Sequence, residues 1–213
     1  MILVGAGVAL FGVAGTTAFL IGSSASSSEP PAAETGYDVT LVANEETDTS
    51  ALSTDDLFPE TVETESGDSY SLLHSDDADS CADAGNGAFA AVLEETECRQ
   101  VVRGVYADEA GDTAVSVGVA AFPTDAAAAE AADAQDIDAG EWFTGLAGPE
   151  DSPAAETDSA GGAASGLTWG RYHVFALATD PEDPDEGADA LAELSEEFLT
   201  VPFTPLGDRA LAD

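Results

Sequence analysis

Two cysteines, Cys81 and Cys98, make up the whole thiol inventory of the chain, so one intramolecular disulfide is the most it can hold. That bridge restricts the fold more than any other feature. Bridged cysteines keep their Cα atoms within roughly 7 Å of each other, whereas an unbroken helix across the interval would hold them ~25 Å apart. The interval must therefore break. Gly85-Asn86-Gly87 supplies the break, because these residues take turns and left-handed dihedrals at little cost. A helix then starts near Gly87 and shows Phe89, Val92 and Leu93 on one face, the i, i+3, i+4 spacing of an apolar stripe. Thr96 and Glu97 remain to bring the chain back toward Cys81. Closing a loop of this size stabilises by about 3 kcal/mol in the chain-entropy picture. A redox pair or half a metal site is the rival reading, but the spacing is not CxxC and no run of histidines lies nearby.

Two strands follow, Arg99 to Ala107 and Thr113 to Phe122. In the second, Val115, Val117 and Val119 alternate with Ser116, Gly118 and Ala120, the period of a half-buried strand. The polar loop Asp108 to Asp112 contains Gly111 and reads as a hairpin connection. Arg99 and Arg103 share one strand face and are expected to pair with surface carboxylates rather than bind an anion. Val101, Val105 and Phe122 stand opposite the valine row, so both hairpin faces are apolar. One face is expected to lie under helices and the other to meet a partner.

The chain has 213 residues, with 43 acids against four arginines and a net charge of −39. Nucleic acid is excluded as a partner, since a phosphate backbone is bound by neutralising it with Lys and Arg. Anionic membrane surfaces are excluded on the same ground. High-salt adaptation is the preferred account of the charge, ahead of cation binding and of simple repulsion within a tail.

Residues 1–22 carry no charge and are rich in Val, Leu, Ile, Phe, Ala and Gly, a length that matches the ~20 residues needed to cross a bilayer. They lack a basic flank, which is unusual for signal peptides and anchors alike. A retained single-pass anchor with the remainder outside the cytoplasm is the preferred reading. Secretion after cleavage at Ser23-Ser24-Ala25 is the alternative. A disulfide fits the oxidising side of a membrane.

Residues 23–65 read as a disordered acidic linker, because positions 29–80 hold 15 acids and no arginine and offer little apolar surface against chain entropy. Tyr37 to Val42 and Leu57-Phe58-Pro59 are apolar islands within it, candidates for docking on the domain. A first strand is expected over Asp68 to His74. Beyond the hairpin, Thr124 is placed to cap an alanine-rich helix reaching Gln135. Glu141 to Ala147 reads as a strand, Pro149 to Ser165 as loop, and Leu167 to Thr179 as a strand-like run with Gly170 at a bulge or tight turn, which gives one to three strands in this part of the chain. A last helix from Ala188 to Leu199 carries Leu191, Leu194, Phe198 and Leu199 at helical spacing, ended by Pro202 and Pro205. The expected fold is α+β: an antiparallel sheet over residues 66–206 with helices on one face. The N-terminal transmembrane helix and the acidic linker precede it, and 207–213 form a tail.

Ser71-Leu-Leu-His-Ser-Asp-Asp-Ala-Asp-Ser-Cys81, followed by Cys98-Arg-Gln-Val-Val-Arg103 and Tyr106, resembles a family of uncharacterised actinobacterial proteins with an N-terminal membrane segment and an extracytoplasmic domain. In that family a Cys-helix-Cys segment leads into a QVVRA-Y strand, a hairpin, an alanine-rich helix and an aromatic strand pair. The resemblance covers about residues 57–200. It implies a membrane-tethered domain and brings no catalytic residue, cofactor or metal with it. The chain departs from the pattern in Gly85-Asn86-Gly87, in having no lysine and in having no basic start.

Candidate sites are sparse. His74 and His173 are the two histidines. Ser75 and Ser80 flank an acidic run, but there is no GxSxG elbow to present a nucleophile. His173, between Tyr172 and Val174, reads as a partly buried filler and His74 as a solvated strand end. Asp183-Pro-Asp185-Glu-Gly187 imitates the opening of a calcium loop, yet Gly187 takes the fifth position and Leu194 falls where the bidentate Glu belongs. Asp76, Asp77 and Asp79 lack a ligand register as well. Trp142 and Trp169 read as core or sheet-face residues, and no glycine-rich phosphate cradle follows a strand. The expectation is a non-catalytic, membrane-tethered domain that binds or senses a partner. Its partners would be the bilayer through residues 1–22 and, through the sheet face, an envelope protein or a second copy. An acidic structural surface protein and a carboxylate-dependent hydrolase are the competing classes.

Overall fold

The computed structural model describes residues 36–180 and 188–211. The segment 1–22 and the first part of the linker, 23–35, lie outside the described residues. Among the described residues no helix is long and apolar enough to cross a membrane.

The fold is α+β, built on one six-stranded antiparallel sheet. Its strands are β1 (Thr61–Glu63), β2 (Ser69–Asp77), β3 (Gln100–Asp108), β4 (Ala114–Ala121), β5 (Ala163–Trp169) and β6 (Tyr172–Thr179), in the order β1-β2-β3-β4-β6-β5. The helices are α1 (Thr54–Leu57), α2 (Phe89–Glu95), α3 (Asp125–Asp133), α4 (Ala188–Phe198) and α5 (Phe203–Arg209). Every residue of β4 and of β6 is buried, as expected of central strands covered above and below.

The cysteine-framed segment folds as its sequence predicts. Cys81 and Cys98 are bonded with Cα atoms 6.0 Å apart across a separation of 17 residues. Gly87 takes a left-handed φ of 58° at the break. After α2, Glu97 also turns left-handed at φ 56°, and the Cys98 N–H donates to the Leu93 carbonyl at 2.9 Å. That left-handed stop returns the chain to Cys81. Replacing both cysteines by alanine is expected to lower unfolding stability by about 3 kcal/mol, because the unfolded chain regains the entropy of an open loop. Equilibrium denaturation in a fixed salt measures it, and an unchanged midpoint would show that the bridge contributes nothing.

Helices cover both faces of the sheet, not one. Along β6, Val174, Ala176 and Ala178 pack with Leu191 and Phe198 of α4, Leu206 of α5 and Leu57 of α1, while Phe175 points the other way into Phe89, Leu93, Ala128 and Ala131 of α2 and α3. Successive side chains of a strand face opposite sides, and this sheet is apolar on both. One of the two hairpin faces is expected to meet a partner or a second copy, but Val101, Val105 and Phe122 on one and Val115, Val117 and Val119 on the other are all fully buried under the chain's own elements. The second face is therefore core rather than an open patch.

Further expectations are corrected or decided. From Gly36 onward the presumed linker is folded: Val42, Leu52, Leu57 and Phe58 sit in the core. The Leu52 backbone exchanges hydrogen bonds with the Gln100 amide at 2.8 and 3.2 Å. A few well-spaced apolar anchors outweigh the acidic composition. The stretch from Glu141 to Ala147 is not a strand. Its backbone bonds instead to the break before α2, with Asn86 N–H donating to Trp142 O and Thr144 N–H to Ala84 O, both at 2.8 Å. Of the bulge or tight turn expected at Gly170, the structure has the turn: a two-residue hairpin joins β5 and β6, with Gly170 at φ 55°; tight hairpin turns need that left-handed position. Finally, α4 ends at Phe198 ahead of Pro202 and Pro205 as expected, but the two prolines also open α5, which runs through the presumed tail to Arg209. Proline suits a first helical turn because the N–H it lacks has no intrahelical partner there.

Candidate functional site

Most residues with chemical potential are engaged inside the fold. His173 is 3% exposed, and its Nε2 lies 3.0 Å from the Gln135 amide nitrogen. An amide N–H only donates, so Nε2 accepts and Nδ1 carries the proton, donating to Thr168 Oγ1 at 3.0 Å. The Phe143 ring stacks against the imidazole at 5.5 Å. Burial pushes the imidazole down from 6.5 to about 4. The unfolded chain therefore holds this proton over an interval in which the folded protein does not. Its contribution is complete above pH 6.5 and is lost as pH falls toward about 4, with a slope of up to about 1.4 kcal/mol per pH unit. Between pH 6.5 and the onset of carboxylate titration, His173→Gln is expected to flatten the stability–pH curve. An unchanged slope would place the titration elsewhere.

Each arginine has a carboxylate. Arg99 pairs with Glu45 at 2.8 Å on the surface, and Arg103 with Asp76 at 2.7 Å. Arg171 and Arg209 converge on one buried acid, Asp48, at 3.3 and 3.4 Å. The Tyr172 hydroxyl also donates to Asp48; burial, and then that bond, push the phenol up to about 12. This cluster joins the segment after Val42, the β5–β6 turn and α5. No sequence pattern marks it, because its members lie far apart in the chain.

The other candidates are scattered. His74 is exposed on β2. Ser80 caps the turn at Cys81, accepting from Ala82 N–H at 3.2 Å. Asp77 accepts from the Gln100 amide at 3.0 Å. Trp169 is buried edge-on to Tyr37, and Trp142 is half-buried beside the α2 cluster. The run Asp183 to Gly187 lies outside the described residues. Among the described residues, no three of His, Cys, Asp and Glu are grouped to hold a metal ion.

What the fold leaves open is an edge. The sheet ends on β1 and β5. β1 has only three residues, one of them Glu63, and short, charged edges resist further pairing. β5 is seven residues long, Ala-Ala-Ser-Gly-Leu-Thr-Trp, and carries no charge. Because a two-residue turn closes on Trp169 and Tyr172, the odd-numbered residues of β5 bond to β6. The backbone N–H and C=O groups of Ala164, Gly166 and Thr168 then point outward, by the alternation of an antiparallel ladder. Among the described residues these groups have no hydrogen-bond partner. Gly166 is exposed. Beside the Thr168 end lies a groove of about 420 Å³ whose lining includes Val39, Ala126, Ala129, Asp125 and Thr168. The edge escaped sequence reasoning because strand order, not composition, decides which strand is last.

No protein-family model, no curated protein and no solved structure matches the chain.

Proposed function

We propose that the chain is a non-catalytic, membrane-tethered extracytoplasmic domain that binds or senses a partner. The observation that carries this reading is the open β5 edge, a long uncharged strand with unpaired backbone groups at the border of an otherwise closed core. Backbone groups in that arrangement bind extended segments by adding a strand. The Cys81–Cys98 bridge supports an oxidising location. The apolar run over residues 1–22 and the actinobacterial resemblance support the tether. A binding role is favoured over a hydrolytic one because His173 is buried and doubly bonded, while His74 stands exposed on β2, the far side of the sheet order from β5.

The test uses the full chain in its own cell envelope, with a photoreactive residue in place of exposed Glu130 on α3. The expected result is a chain that sediments with membranes, has both cysteines oxidised and yields a discrete cross-linked species. Free thiols in the soluble cell interior would overturn the location. Absence of any adduct would overturn the binding role.

A further inference from the structure

We propose that the β5 edge and its adjoining groove take an extended, Lys/Arg-bearing polypeptide segment as a seventh strand of the sheet. The inference rests on the binding-domain reading and names its occupant. Two features of the edge agree on that chemistry.

The first is geometric. Ala164, Gly166 and Thr168 alternate along the outer side of β5, which is the pattern an added strand pairs with. Their side chains are small, so an incoming backbone meets no bulk. At the Thr168 end the added strand would run over the groove, where Val39, Ala126 and Ala129 offer apolar contact and Asp125 a carboxylate. The opposite edge, β1, offers neither length nor neutrality.

The second is charge. The two helices packed against β5 are α3 and α4. They expose Asp125, Glu130 and Asp133 on one side and Asp189, Glu193 and Glu196 on the other, with no basic residue in either helix. The strand itself is neutral, so an occupant's backbone is not repelled while its side chains lie between two rows of carboxylates. A cationic segment is attracted there and an acidic one is repelled. A second copy of the chain carries the same −39 charge and is disfavoured at low salt for that reason. Salt moves the two occupants in opposite directions: screening weakens a basic peptide and permits self-pairing.

The experiment uses the full chain in detergent micelles and two synthetic nine-residue probes, one alternating valine with lysine and one alternating valine with glutamate. Fluorescence polarisation reads affinity and amide hydrogen exchange reads position. The basic probe is expected to bind at least about tenfold more tightly than the acidic one, to weaken as salt rises, and to protect the amides of Ala164, Gly166 and Thr168. Ala164→Pro removes an outward donor without touching the β5–β6 ladder and is expected to weaken binding by about tenfold, the scale of one lost hydrogen bond. Should that variant not fold, Asp125→Asn tests the charge in the groove and is expected to reduce the preference for the basic probe. Equal binding of the two probes, or protection elsewhere, overturns the proposal. Protection of the same amides by a dimer that forms as salt rises also overturns it, and makes the occupant a second copy while leaving the binding role intact. If no strand protects the edge and no adduct forms in the envelope, the binding role itself fails.

Discussion

Asp48→Ala is expected to destabilise the domain by about 3–5 kcal/mol, the usual cost of removing one partner from a buried ion pair. Asp48 is 6% exposed and takes bonds from Arg171, Arg209 and Tyr172. Alanine leaves the Arg171 guanidinium, whose side chain is 6% exposed, with the Phe122 carbonyl at 3.0 Å and the Tyr172 ring face at 4.9 Å but without its carboxylate. Arg209 is better placed to survive, since it also donates to the Ser50 and Ala51 carbonyls at 2.9 and 2.7 Å. The penalty is therefore an uncompensated charge at Arg171 rather than a missing contact. A double variant, Asp48→Leu with Arg171→Met, is expected to recover most of the loss, because apolar residues in place of a buried pair are often neutral. Denaturation of the single and double variants in the same salt decides between the two causes. Equal losses would show that packing, not charge, is what Asp48 provides.

Phe143→Ala is expected to cost a similar 3–5 kcal/mol and also to change the acid response. The ring is fully buried and lies parallel to Phe175 with centroids 4.0 Å apart, edge-on to Phe89 at 4.9 Å and against His173 at 5.5 Å. Its removal leaves a cavity that neighbouring rings cannot refill without moving. It also lets water approach the imidazole, whose low pKa comes from burial. The folded pKa then climbs toward the unfolded value, and the stability lost on acidification shrinks with it. Two readouts follow from one substitution: a lower midpoint at neutral pH and a shallower decline below pH 6.5. A variant that loses stability and keeps the full acid slope would show that Phe143 packs the core without shielding His173.

Period-two alternation and caps made part of this fold legible. The hairpin of β3 and β4, the bridge-closing turn at Glu97, the Thr124 cap of α3 and the apolar stripe of α4 follow from neighbours in sequence. What escaped depends on distant residues. The presumed linker was judged by its acids, but Asp48 is held by arginines 123 and 161 residues away, which no local pattern reports. Proline reads as a stop signal until the start of α5 shows which turn it occupies. The first part of β5, Ala163 to Ser165, has small residues without alternation and reads as loop, while Leu167 to Trp169 read as strand; the whole is a strand because Gly170 turns it back onto β6. Phe143 lies in an irregular stretch, fixed by hydrogen bonds to the break before α2. The candidate edge was the least readable of all, since being last in the sheet is a property of the whole topology.

The clamp between Asp48 and Arg209 spans 161 residues, and Asp38 N–H donates to Ala210 O at 2.8 Å nearby. During vectorial synthesis these two contacts of the early segment must wait until α5 has emerged and docked. Contacts this distant in sequence close late, after the loop entropy between them has been spent. The segment is thus completed only once α5 is in place. Clipping α5 would remove the Asp38–Ala210 and Asp48–Arg209 contacts of that segment without altering a single atom in it.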